Sequence, residues 1–241
     1  MTFSGVRIAV LFHITLLYAK EVGRTCQQRG SDENETPVST TGSPRPYRMR
    51  ARAEKLRDTR QRIVEATVRL HTTIGPAATS ISAVAEAAGV SRPTVYRHFP
   101  DEESLYAACA GHFDVLYPPP DLDGWREIDG LEVRARHALT ELYRYYEMHA
   151  DRLHPIYRDV ATMPAVVQQA SREENEATAD ALIAGCDVRG RRRSRLRAVA
   201  GHLVDFWTWH SLVVEQGLET GEAVDLGCSL LGLAAGSPSR R

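Results

Sequence analysis

Between Ser91 and Phe99 the chain reads Ser-Arg-Pro-Thr-Val-Tyr-Arg-His-Phe. On a short helix this spacing leaves Arg92, Thr94, Tyr96, Arg97 and His98 on one exposed face and turns Val95 inward. Guanidinium, hydroxyl and imidazole groups gathered on such a face suit contact with an anion, and arginine is the usual bidentate partner of guanine. Residues 45–62 add eight basic side chains (Arg45, Arg48, Arg50, Arg52, Lys55, Arg57, Arg60, Arg62) against Glu54 and Asp58, a local excess of +6 in a chain of formal net charge −1. A concentrated basic run beside an exposed helix tip is the electrostatic footprint of a DNA binder.

Three helices are needed to hold that face. From Arg57 to Gly75 the residues Ile63, Val64, Ala66, Thr67, Leu70 and Ile74 recur at helical spacing, and Gly75-Pro76 predicts the stop. Ser80 or Ser82 caps a short second helix, which Gly89 ends because a left-handed residue there costs no Cβ clash. Ser91 caps a third helix, with Pro93 in its first turn, where a missing N–H is harmless. Two short helices about a tight glycine turn make a helix-turn-helix. Ala85 must be small at the crossing, and Val84, Ala88, Val90 and Val95 fill the wedge. An ordinary helical hairpin is the plainer alternative, and the local charge argues against it.

The run Ser80 to Phe99, with its core motif at Ala85 through Phe99 and Asp101-Glu102-Glu103-Ser104-Leu105 after it, closely resembles the TetR/AcrR family of transcriptional regulators, the resemblance covering about 60 residues. The resemblance implies an all-α protein: an N-terminal three-helix helix-turn-helix DNA-binding domain over 49–116, with the motif at about 80–99, and a C-terminal helical bundle for ligand binding and dimerisation over 121–236. It implies that the third helix enters the major groove. Ser91, Thr94, Tyr96 and His98 match positions that commonly contact phosphates, as do Thr79 and Ser80. Arg92 and Arg97 become the base readers, and Pro93 a contact to a thymine methyl. Arg48, Arg50 and Arg52 resemble an N-terminal arm that follows the backbone or minor groove. For Tyr96 the alternative is a half-buried ring that braces the helix, and Phe99 is core.

Past a fourth helix, Glu102–Leu116, and the break at Pro118-Pro119-Pro120, every segment reads as helical, over 131–149, 150–162, 165–184, 192–215 and 221–235. The stripe between Arg195 and Val213 is wide and aromatic, and the last helix is apolar enough to need a second surface. In the family the last two helices pair with a partner's, which makes Val204, Leu212, Leu226, Leu230 and Leu233 the expected homodimer face. Tyr143, Tyr146, His149, His154 and Tyr157, with Trp207, Trp209 and His210, cluster as an expected effector pocket, of which Tyr143, Tyr146, His149, Tyr157, Trp207 and His210 are the chosen lining. Core or interface is the competing role for each. Arg189 to Arg193 reads as a solvated loop.

Composition is that of an ordinary globular protein, 43% hydrophobic and 25% charged. The four cysteines lie far apart, without zinc spacing, and read as free thiols in a reducing cytosol. No metal or cofactor is expected. The apolar run at 8–18 is shorter than the roughly 20 residues of a membrane helix, so no membrane partner is expected. Residues 23–46 are polar, rich in Ser, Thr, Gly and Pro, and read as a flexible linker. Residues 1–48 are thus a disordered arm, a leader from a mis-placed gene start, or a targeting segment.

The expected function is a cytoplasmic repressor, released from a palindromic DNA operator by an unknown small-molecule effector. An activator, or an adaptor without ligand, is the alternative. A helical enzyme would carry a repeated Glu-x-x-His pattern or a nucleophile or phosphate-loop motif, and none occurs.

Overall fold

The structure, a computed structural model, describes residues 45–236, with side chains from Met49 onward. The leader expected over 1–48 therefore lies almost wholly outside the described residues. The described chain forms ten α-helices and no strand.

The first helix, α1 (Arg45–His71), begins twelve residues before the expected start. No glycine or proline interrupts it from Tyr47 onward, and its inner stripe of Ile63, Val64, Ala66, Thr67 and Val68 is buried. It stops at His71, so Ile74 falls in the following turn and is exposed rather than core. A 3-10 turn (Pro76–Ala78) leads into α2 (Ile81–Ala87), α3 (Arg92–His98) and α4 (Glu102–Leu116). Of the two expected caps, Ser80 accepts from the Ala83 amide. Ser91 stands at the cap position of α3, but its hydroxyl meets that of Thr94 at 2.9 Å. Asp101 caps α4 by accepting from the Ser104 amide, and Glu102 and Glu103 suit the positive end of that helix.

The body follows: α5 (Leu122–Glu127), α6 (Leu131–Asp159), a 3-10 turn (Val160–Thr162), α7 (Ala165–Leu182), α8 (Gly190–Leu203), α9 (Phe206–Trp209), a π-helical segment (His210–Glu215) and α10 (Thr220–Ala235). Two sequence expectations change. The helices expected over 131–149 and 150–162 are one, α6, because its buried stripe runs on from Tyr146 to Leu153 without a change of phase. The single helix expected over 192–215 breaks at Val204-Asp205. Tyr143 donates to the Leu203 carbonyl at 3.0 Å and Tyr146 to that of Val204 at 2.7 Å, which satisfies acceptors freed by the break. Asp205 caps the next turn through the Trp207 amide at 2.8 Å. Buried Arg134 donates to the carbonyls of Ile128, Leu182 and Ala184, and so ties the start of α6 to the end of α7.

Two buried cores result. Ile63, Val84, Val95, Phe99, Leu105 and Cys109 belong to the first, and Trp125, Leu139, Tyr143, Leu196, Trp209 and Leu231 to the second. Phe113, on α4, packs against both.

Candidate nucleic-acid interface

Val95 and Phe99 lock α3 into the first core at 0% and 2% exposure. That anchoring turns Arg92, Pro93, Tyr96 and Arg97 outward and leaves Thr94 and His98 half-buried. The Tyr96 ring is 46% exposed, open to solvent over about half of its surface. Neither Arg92 nor Arg97 has a hydrogen-bond or ion-pair partner among the described residues. His98 has its Nε2 sealed from solvent, and burial, with Arg97 and Arg60 nearby, holds its pKa below the usual value.

The expected phosphate contacts at the start of α2 divide. Ser80 is exposed, but its oxygen serves the cap. Thr79 is half-buried and donates to the Gly75 carbonyl at 2.8 Å. Arg50 and Arg52 stand on the opening turns of α1, not on an extended arm, because the helix starts at Arg45. The Arg48 side chain lies outside the described ones.

Three α1 arginines have a role that sequence reasoning missed. Arg60 donates to the His98 carbonyl, Arg62 to that of Ala88 and Arg69 to that of Ala87, each at 3.3 Å. Arg60 also lies over the Phe99 ring at 4.1 Å. These side chains strut the C-terminal ends of α2 and α3, so part of the basic excess at 45–62 is spent on holding the motif. No spacing rule marks them, since their acceptors are backbone carbonyls 18 to 38 residues away.

Behind the motif, His71 is buried with its Nδ1 3.7 Å from the Cys109 sulfur and its ring 5.0 Å from that of Tyr106. Burial pushes the imidazole down to about 4, against the opposing pull of Asp159. The same burial raises the Cys109 thiol to about 12, which leaves it inert at neutral pH.

The expected effector cluster does not form one open pocket. Tyr143 and Tyr146 are buried and spend their hydroxyls on the α8 break. Tyr157 stacks on Phe206 at 4.7 Å, and Trp207 and His210 flank that ring. His149 sits apart, edge-on to Tyr145 at 4.9 Å, and lines a groove of about 940 Å³ between the end of α4, the proline turn and the outer face of α6. Leu116, Pro118, Val133, Arg144 and Met148 contribute to it. Its one legible trace is that Val133 and Met148 are large apolar side chains outside the buried stripe of α6. Among the expected dimer residues, Val204 is 1% exposed and belongs to the intramolecular core, since its carbonyl receives Tyr146. Leu212 is half-buried. Leu226, Leu230 and Leu233 form an exposed apolar stripe on α10.

No group of three or more His, Cys, Asp or Glu able to hold a metal ion occurs among the described residues, and none of their helices is long and apolar enough to cross a membrane.

The family of bacterial regulatory proteins called the tetR family matches residues 63–109. The HTH-type transcriptional regulator AcrR of Shigella flexneri is 37% identical over 54 residues, which are 22% of this chain and 25% of that relative. The match thus spans a quarter of the relative's length. A TetR transcriptional regulator from Rhodococcus sp. RHA1 superposes with a TM-score of 0.46 at 18% identity, covering 77% of this chain and 99% of the other. A Clostridium perfringens protein described as a candidate fatty acid metabolism regulator gives 0.49 at 12%, with 75% and 100% covered.

Proposed function

We propose that this chain is a transcriptional regulator of the TetR/AcrR type, a homodimeric repressor that binds a palindromic operator and is released by a small-molecule effector; the tetR-family match over residues 63–109 supports the DNA-binding part of that reading. The observation that carries the reading is the α3 surface. Arg92 and Arg97, without partners among the described residues, stand on a helix whose other face is locked by Val95 and Phe99. A rigid helix with two free guanidinium forks suits base reading in a major groove.

Dimerisation rests on the stripe of Leu226, Leu230 and Leu233, which a second copy would cover. Two recognition helices about 34 Å apart, or a multiple of that, then match successive turns of the duplex. Effector response rests on α4. Its Leu105 and Cys109 sit in the core of the DNA-binding head while its Leu116 lines the groove against α6. A molecule with an apolar body, seated in that groove, has differential contact with two positions of α4 and shifts the population between them. The protein acts in the cytoplasm on its own genome.

The test is DNA protection mapping on the upstream region of the protein's own gene, followed by binding of Arg92→Ala and Arg97→Ala to single-base variants of the protected site. Each replacement is expected to relax preference at one base pair per half-site, at a cost of roughly 1–3 kcal/mol. Unchanged base preferences in both variants would place the readout elsewhere and overturn the site.

A further inference from the structure

The last two residues of α6 reach across to the DNA-binding head. Arg158 donates through Nε and Nη2 to both carboxylate oxygens of Asp159, at 2.8 and 3.0 Å, and through Nη2 to the Ile74 carbonyl at 3.0 Å. Asp159 accepts from the Ala77 amide at 3.0 Å. The pair therefore holds the segment 74–77, which joins α1 to the helix-turn-helix, from two sides.

Three features make this grip specific. Gly75 has φ of +92°, and a Cβ there would lie 2.3 Å from both Arg158 Nη2 and Asp159 Oδ2, so the loop closes on the pair with no room for a side chain. The Gly75 carbonyl in turn receives the Thr79 hydroxyl, one residue before the Ser80 cap of α2. The Asp159 side chain is 8% exposed, and its carboxyl is held below the usual range chiefly by the Arg158 guanidinium, with the Ala77 amide assisting. The Arg158 side chain is half-exposed, so the directional part of the grip is the shielded Asp159 carboxylate accepting from the Ala77 backbone amide.

The geometry points to Arg158 and Asp159 as positioning residues that set the angle between head and body, and with it the distance between the two recognition helices of a dimer. This rests on the DNA-binding reading above. The chain already links head and body through α4, whose Phe113 packs against both cores and whose cap Tyr117 lies against His149 and accepts from the Tyr145 hydroxyl of α6. The attachment at 74–77 is a second point, away from the α4 axis, and so fixes the direction in which the head faces. It also stands on the helix that lines the groove. Met148 and Arg158 are ten residues apart on α6, about 15 Å at 1.5 Å per residue. Pro155 lies between them and lacks the amide for one helical hydrogen bond. A shift of α6 at the groove therefore reaches the latch along the same helix.

The test is selection by the full chain from a randomised duplex DNA library, followed by sequencing of the bound fraction. The readouts are the half-site sequence and the spacing between half-sites. Changing the spacing by one base pair turns one half-site by roughly 35° about the duplex axis, since a turn holds about 10 base pairs. A head fixed to the body follows such a change poorly. The wild-type chain is expected to favour one spacing by roughly tenfold over its neighbours, and Arg158→Ala and Asp159→Asn to reduce that ratio to roughly threefold or less, with the half-site sequence unchanged. Arg158→Lys, which keeps a charged donor towards Asp159, is expected to recover part of the selectivity, and thermal melts identify the folded variants to be compared. If the variants keep the single spacing, or lose affinity equally at every spacing, the pair is mere support and the inference fails. If the wild-type chain itself enriches no half-site, the DNA-binding reading fails first, and that outcome is distinct.

Discussion

Arg60 lies over the ring of Phe99, 4.1 Å from its centroid, while donating to the carbonyl of His98. One side chain of α1 thus holds both the last residue of α3 and the aromatic ring that anchors it. A residue counted in the basic run is thus part of the frame.

Arg60→Ala should therefore act on both stability and DNA binding. Loss of the stacked guanidinium is worth roughly 0.5–1 kcal/mol at a partly exposed site, which is a fall of several degrees in Tm for a small domain. DNA affinity should drop by a similar factor at every sequence, because the whole helix is loosened. Arg97→Ala should leave Tm within about 0.5 kcal/mol equivalent and change base preference alone. Melting curves and binding to single-base variants separate the two. An Arg60→Ala chain with unchanged Tm would remove Arg60 from the frame.

The buried His71 makes the head acid-sensitive. Its native pKa of about 4 lies below its ordinary value of 6.5, so the unfolded chain binds the proton more readily than the folded one. The folded state keeps its full margin above pH 6.5 and loses it as pH falls from 6.5 towards 4. At 1.36 kcal/mol per unit, the loss between pH 7 and pH 5 is about 2 kcal/mol. Urea unfolding at the two pH values checks this, with His71→Gln as control. The control should flatten the dependence, and an equal slope in both proteins would remove His71 as its source.

What the sequence made legible follows from how local each feature is. The cap at Ser80, the turn at Gly89 with φ +64° and the inward Val95 were readable because each depends on neighbours within four residues. The split of α8 from α9 was not. It depends on hydroxyls of Tyr143 and Tyr146, about 60 residues away, that accept the role of helix cap. The same two residues looked like pocket lining because a tyrosine in an apolar stripe carries no mark of which carbonyl it will meet. Val204 looked like interface for a similar reason, since apolar periodicity does not tell an inner seam from an outer one. The groove escaped notice because it lies between α6 and the proline turn, and only tertiary packing brings those together.

The Tyr146–Val204 contact can be tested directly. Tyr146 is fully packed, and burial holds its hydroxyl protonated well past the usual range. Tyr146→Phe preserves shape and strands the Val204 carbonyl in the core. An unsatisfied buried acceptor costs about 1–3 kcal/mol. Chemical unfolding should show that loss with an unchanged m-value, because the extent of the folded core is the same. A neutral result would mean that the carbonyl finds water, and the break at Val204-Asp205 would then be less rigid than described.

The α10 stripe gives the clearest contrast between an inner and an outer seam. Leu230 is 38% exposed and Leu231, its neighbour, is 0% exposed. A charge at Leu231 meets the core of its own chain, whereas one at Leu230 stands at the surface, where a proposed second copy would cover it. Leu230→Glu should therefore leave the folded monomer nearly intact, within about 0.5 kcal/mol, as surface substitutions generally do. In a dimer it would set two unpaired carboxylates in an apolar seam, at a cost of several kcal/mol. Sedimentation should show monomer in Leu230→Glu at concentrations where the wild-type chain is dimeric, and binding to a two-half-site duplex should weaken far more than binding to one half-site. Leu231→Glu should instead fail to fold. If Leu230→Glu, and likewise Leu226→Glu and Leu233→Glu, sediment as the wild-type chain does, the two copies meet elsewhere and the stripe has another use.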